Sequence, residues 1–168
     1  MVADANSNAA GQIGQADGAS AAGTNTNSIA TQVTTLAATA ADGIYVLESD
    51  GLTVDALATF DVSQVNFNST TATVTAAARE DLTTTDAGPI KLVSTTGSIT
   101  VNAGTAATAG VSAATTGHVL LETRAANGDV IVNANVTSGS GHLSLVAADD
   151  LDLNANLATT GGSVYLAA

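Results

Sequence analysis

Five times the chain writes one short phrase of the form apolar–x–apolar–polar–Ala: LTVDA from Leu52, ATVTA from Ala72, ITVNA from Ile99, VIVNA from Val130 and LDLNA from Leu151. Between the copies runs a second phrase, apolar–x–apolar, as IYV at Ile44, VNF at Val65, IKL at Ile90, VLL at Val119, LSL at Leu143 and VYL at Val164. The two phrases alternate, and successive copies of the second begin 21, 25, 29, 24 and 21 residues apart. No other property of the sequence constrains the fold as strongly. A unit this short cannot bury a face by itself and must stack on its neighbours.

Within each phrase, polarity alternates with a period of two, the mark of a strand with one buried face. Val130, Val132 and Ala134 then point one way, and Asp129, Ile131 and Asn133 the other. The exchange of Ile131 for Asp152 falls on the outward side, whereas Val130/Leu151 and Val132/Leu153 stay apolar. The fifth position is Ala in every copy (Ala56, Ala76, Ala103, Ala134, Ala155), as a narrowing corner requires. Two or three short strands per 20–30 residues describe one coil of a β-solenoid. Because parallel crossovers are almost always right-handed, the expected fold is all-β, a right-handed parallel β-helix of about five to six coils. Stacking places Asp55, Thr75, Asn102, Asn133 and Asn154 in one column, a candidate structural ladder of the kind that pairs amide side chains between strands.

Composition agrees. Apolar residues make up 45% of the chain, yet the only aromatics are Tyr45, Phe60, Phe67 and Tyr165, which suits a thin aliphatic core repeated along an axis. Three basic residues (Arg79, Lys91, Arg124) stand against fifteen acidic ones, for a net charge of −12. Nucleic acid is thereby disfavoured as a partner, since phosphate binding needs clustered Lys and Arg. Without Cys, disulfides, thiolate metal sites and a Cys nucleophile are excluded. No apolar run approaches the roughly 18 residues of a membrane-spanning helix, so membrane insertion is not expected.

Residues 1–40 read differently from 41–168. The stretch DANSNAAGQIGQADGASAAGTNTNS is low-complexity and polar, and suggests a cap, a linker or a strand donor. IATQVTTLAATA, from Ile29 to Ala40, reads as a degenerate first coil. The opening MVADANSNAAGQ lacks the basic and apolar regions of a signal peptide, so the expectation is a piece of a longer exported protein. Two stretches, Ala76–Pro89 and Gly104–Gly117, lengthen their coils with Ala, Thr and Gly, as loops or as an extra lateral strand.

The stretches LLETRAANGDVIVNANV and HLSLVAADDLDLNANLATTGGSVYLAA resemble the repeats of filamentous-haemagglutinin-like large exoproteins of bacteria, over about Ala41 to Ala168. That resemblance implies an extracellular or cell-surface parallel β-helix serving as an adhesin shaft, without catalysis. Its partners would be other copies of itself, other surface proteins or glycans. The alternative is a self-assembling subunit of an extracellular filament, joined by strand addition or end-to-end coil stacking.

Several side-chain groupings bear on chemistry. His118 and His142 each precede a strand phrase and stack on neighbouring coils, but two imidazoles alone make a weak metal site. Asp129 and Asp150 share an outward column with Asp149 and Asp152 nearby, a calcium candidate by ligand type. The spacing fits neither an EF-hand loop nor the glycine-rich calcium repeat, which favours a solvated acidic face. The basic residues fall at different points of the coil, unlike those of an acidic-polysaccharide-cleaving β-helix, and nothing orders a Ser–His–Asp set. Thr73 and Thr75, partly echoed at Thr100, meet Ile131 and Asp152 in later coils, so no ice-binding Thr ladder forms. No cofactor and no enzymatic activity are expected.

Overall fold

In the computed structural model, residues 11–16, 27–105 and 109–168 are described, and they form strands, turns and bends without a helix. The chain visits three sheets in a fixed rotation. The first sheet takes β1 (Gln12–Ile13) and β2 (Ile29–Thr31), the second β3 (Thr35–Leu36) and the third β4 (Ala38–Ala40). The next coil adds β5 (Gly43–Glu48) and β6 (Leu52–Val54). It then leaves the body as a hairpin, β7 (Phe60–Val65) and β8 (Thr71–Ala76), before re-entering the third sheet as β9 (Leu82–Thr84). Two regular coils follow: β10 (Ile90–Ser94), β11 (Ile99–Val101) and β12 (Ala109–Ala113), then β13 (Val119–Thr123), β14 (Val130–Val132) and β15 (Asn135–Ser138). β16 (Leu143–Val146), β17 (Leu151–Leu153) and β18 (Leu157–Thr159) make a third, and β19 (Val164–Ala167) joins the first sheet. Pairing within all three sheets is parallel, with one register shift between β12 and β15 at Ala109–Val111, so the fold is a parallel β-helix.

The repeat phrases map onto this body with one correction. IYV, IKL, VLL, LSL and VYL lie in the first sheet, and LTV, ITV, VIV and LDL in the second. VNF at Val65 and ATVTA at Ala72 are not rungs. They belong to the antiparallel hairpin, and Ile44 pairs directly with Ile90, 46 residues on. The turn explains the departure. Asn66 N–H donates to the Thr70 carbonyl at 2.7 Å, and the Asn68 side chain accepts from Thr70 N–H at 3.2 Å. Ser69 takes φ 65°, closing the chain on itself locally. The two lengthened stretches do contain a lateral strand, since β9 and β12 belong to the third sheet.

The core is a set of aliphatic columns. Ile44, Ile90, Val119 and Leu143 form one, Val46, Leu92, Leu121 and Leu145 another, and Val54, Val101 and Val132 a third, all buried. Burying each such side chain stabilises by about 1.5–3 kcal/mol relative to leaving it in water. In the last described rung the same columns are open, with Leu153, Val164 and Leu166 exposed.

Corners interrupt the ladder, and short polar side chains satisfy the backbone there. Between the third and first sheets, the hydroxyls of Thr84, Ser138 and Thr159 donate to the carbonyls of Gly88, Gly117 and Gly141 at 2.7–2.8 Å. Glycine is required because rungs approach closely: a Cβ on Gly117 would meet the Gly88 carbonyl, and one on Gly141 the Gly117 carbonyl. Between the first and second sheets the buried column is Glu48, Ser94 and Thr123. The Glu48 carboxylate, fully buried, accepts from Thr31 Oγ1 at 2.6 Å, Val33 N–H at 3.2 Å and Ser49 N–H at 3.1 Å. Those donors are what make burial of a carboxylate tolerable.

They also tie residues 31–33 to the following coil. The segment 29–40 accordingly supplies one strand to each sheet, pairing with β5, β6 and β9. Residues 1–10 and 17–26, much of the segment set apart as cap, linker or strand donor, lie outside the described residues.

Candidate functional site

Two surfaces carry the candidate side chains: the outward columns of the body and the hairpin. In the outward columns, Asn154 Nδ2 donates to Asn133 Oδ1 at 2.9 Å, Asn133 Nδ2 to Asn102 Oδ1 at 3.1 Å, and Asn102 Nδ2 to Asp55 Oδ2 at 3.0 Å. The ladder thus runs through four rungs and ends on a carboxylate. The bond from Asn102 and a second from Ala56 N–H, at 2.7 Å, hold the Asp55 carboxyl below the ordinary Asp range. Thr75 is not in this column. It sits on β8, where its hydroxyl donates to Asp61 Oδ1 at 2.6 Å across the hairpin.

His118 and His142 stack, with ring centroids 5.0 Å apart and planes 20° from parallel. Each ring has a backbone task. His118 Nδ1 accepts His142 N–H, and His142 Nδ1 accepts Ser163 N–H, both at 2.9 Å. This use of Nδ1 places the neutral ring's proton on Nε2.

Asp129 does the same work. Its Oδ1 accepts Asp150 N–H at 3.2 Å, just as Ser98 Oγ accepts Asp129 N–H at 3.0 Å one rung earlier. Asp149 and Asp152 lie on the same exposed end of the body, and Asp152 pairs in register with Ile131. Among the described residues, no three Asp, Glu or His side chains converge on a metal-sized site. Columns legible in the sequence as possible ligand sets are therefore rung-to-rung acceptors for backbone N–H groups that the corners leave unpaired.

The hairpin has a different character. Among the described residues its strands pair only with each other, in the register Phe60–Ala76, Val62–Val74 and Val65–Thr71. Alternation puts Phe60, Val62, Gln64, Ala72, Val74 and Ala76 on one face, and Asp61, Ser63, Val65, Thr71, Thr73 and Thr75 on the other. Val62 and Val74 are 43% and 42% exposed, although they form the centre of the apolar face. Val65 is 70% exposed, and Phe67 at the tip is fully exposed. A two-stranded hairpin is marginal by itself in water, so its root matters. There Leu57 and Arg79 exchange backbone hydrogen bonds of 2.6 and 3.0 Å.

A cleft of about 540 Å³ opens at that root, lined by Thr39, Leu57, Arg79, Glu80 and Thr105 among others. Arg79 donates to the Ala78 carbonyl at 3.0 Å and Glu80 accepts from Thr105 Oγ1 at 3.1 Å. Beside it lies Asp81, buried with φ 62°, its Oδ1 accepting Gly104 N–H at 2.9 Å. Burial, reinforced by the negative charges of Glu80 and Asp55, raises the Asp81 carboxyl above its ordinary range.

The hairpin is the element that the repeat pattern concealed in the sequence. VNF and ATV stand seven residues apart, close to the eight that separate IYV from LTV and LSL from LDL in true coils. The signal that distinguishes them is the Asn-Ser-Thr cluster between two alternating runs, NFNST, which is turn chemistry for a hairpin. Comparison of the chain with family models, curated proteins and solved structures finds no match.

Proposed function

We propose that this chain is a non-catalytic structural module of a bacterial secreted or cell-surface adhesin-like protein. A stiff β-helical shaft holds an apolar hairpin clear of its surface, where surface proteins or glycans can meet it. The supporting observation is the contrast in hydrogen bonding. Ladder side chains close corners of the body, while among the described residues the hairpin strands pair only with each other and leave Val62 and Val74 well exposed. Large exposed apolar surface of this kind marks interaction sites. The acidic body adds solubility and repels non-specific anionic surfaces.

The test is adhesion of the fluorescently labelled chain to immobilised glycans and to cell surfaces, beside a variant in which residues 58–78 are replaced by a short Gly-Ser link. Loss of adhesion with an unchanged melt supports the assignment. Equal adhesion by both removes the hairpin as the contact element.

A second assignment is a subunit of an extracellular filament, and one observation favours it: among the described residues the two hairpin strands have no third partner strand. Negative-stain electron microscopy across a concentration series separates the two, since long uniform filaments belong to the second alone.

A further inference from the structure

The outer edge of β8 has a property that its exposure alone does not convey. Ala72-Thr73-Val74-Thr75-Ala76 reads the same in both directions. Antiparallel pairing of this strand with its own copy, centred on Val74, therefore sets Ala72 opposite Ala76, Thr73 opposite Thr75 and Val74 opposite Val74 of the second copy. Each residue meets its own kind, and the apolar and hydroxyl faces both run on unbroken across the join. We propose that two copies of this chain associate through β8 about a two-fold axis at Val74. The product is a four-stranded antiparallel sheet with β8 from each copy at its centre.

Three observations identify a second copy as the occupant. First, the pairing is isologous, the form that closed dimers take, and hydroxyl and β-branched cross-strand pairs are favourable neighbours. Second, exposed edges are normally guarded by Lys, Pro or a bulge, and from Thr70 to Ala78 this chain has none of them and no charge. Third, the copies carry a formal charge of −12 each and repel, but Asp61 is the one charged residue between Phe60 and Ala76. The hairpin is the place where two such bodies can approach. Pairing also turns a marginal two-stranded element into a sheet of four strands with one hydrophobic face, which is the size that persists in water. The inference rests on the hairpin's geometry and not on the adhesin assignment.

Sedimentation velocity of the full chain across a concentration series should show a reversible monomer–dimer equilibrium that stops at two. Two matched variants then probe the register. Thr73→Lys with Thr75→Lys sets like charges against each other twice, and Thr73→Glu with Thr75→Lys sets opposite charges in the same places. Both keep a cation opposite Asp61, so hairpin stability is comparable in the two. The first variant should dimerise about tenfold or more weakly than the second. Val74→Cys supplies an independent readout, because the chain has no other Cys. Mild oxidation should give a covalent dimer far faster than for Asp86→Cys, an exposed control. A wild-type chain that stays monomeric, equal affinities for the two charge variants, or growth past the dimer would each overturn the proposal.

Discussion

The same five-residue pattern has two fates in this molecule. As VIVNA at Val130 it is a rung, with Val130, Val132 and Ala134 buried and Asn133 bonded to the Asn ladder on both sides. As ATVTA at Ala72 it is half of a hairpin, with Val74 substantially exposed and Thr75 bonded to Asp61 on β7, fourteen residues upstream. Local pattern specifies a strand in both places. What differs is where the nearest partner lies. A rung waits for a coil to close around it and is rewarded by burial on two sides. The hairpin strand finds a partner through a tight turn first and is rewarded by backbone pairing alone. Period-two alternation therefore reports strand formation, while the turn chemistry between alternating runs decides which sheet a strand joins.

If that contrast is right, equivalent truncations should differ widely in cost. Leu121→Ala, in the middle of the second aliphatic column, should destabilise by about 2–5 kcal/mol, because neighbouring rungs cannot collapse into the space. Val74→Ala, on the hairpin, should change stability by less than about 0.5 kcal/mol. Urea unfolding followed by circular dichroism measures both. Comparable losses would mean that the hairpin folds as part of the body.

A smaller effect separates the ladder from the core. Asn133 both donates to and accepts from its neighbours, at 3.1 and 2.9 Å, and its side chain is exposed. Asn133→Ala should therefore cost about 1 kcal/mol, in the range of a solvent-accessible hydrogen bond or two. Asn133→Asp should cost more, since it replaces the Nδ2 donor that faces Asn102 with an acceptor. A melt in which both variants match the wild type would show that the ladder follows the stacking without contributing to it.

How much of this was readable in advance follows from the same physics. The aliphatic columns of the first two sheets and the Asn column were legible because stacking makes equivalent positions recur with their chemistry intact, as in Asn102, Asn133 and Asn154. The third sheet was less so. Its strands read ATA, LTT, AGVSA, NVTS and LAT, with at most one large apolar residue apiece, and the buried hydroxyls of Thr84 and Ser138 serve corner carbonyls and not the core. The histidine and aspartate columns read in the sequence as surface positions with the chemistry of a weak ligand set, and their backbone role could not be read there. Their backbone partners lie one coil away, at a distance in sequence that no local motif encodes.

The smallest expected effect sets two carboxylates against each other. Asp55 ends the ladder with its pKa held down by the Asn102 and Ala56 donors, so folding favours its ionised form. That contribution is present above the unfolded carboxylate pKa and is lost as pH falls through the lower folded value. Asp81 is the reverse. Its pKa is raised by burial, so its contribution is fully present below the unfolded value, about 4, and is lost as pH rises through the folded one. Ionising Asp81 therefore costs the folded state more than the unfolded one, and a neutral side chain there avoids that cost. Asp81→Asn keeps an oxygen to accept Gly104 N–H, and Asn tolerates the φ of 62° at this position. It should raise the melting temperature at pH 7 and give little or no gain at pH 3, where the wild-type carboxyl is protonated. Asp55→Asn should lower the melting temperature at pH 7, because the acceptor for Asn102 loses its charge, and the loss should shrink toward pH 3. Opposite signs for the two variants at pH 7 are the decisive outcome. If Asp81→Asn destabilises at neutral pH, the bond from Gly104 N–H to the charged carboxylate outweighs the cost of burying it.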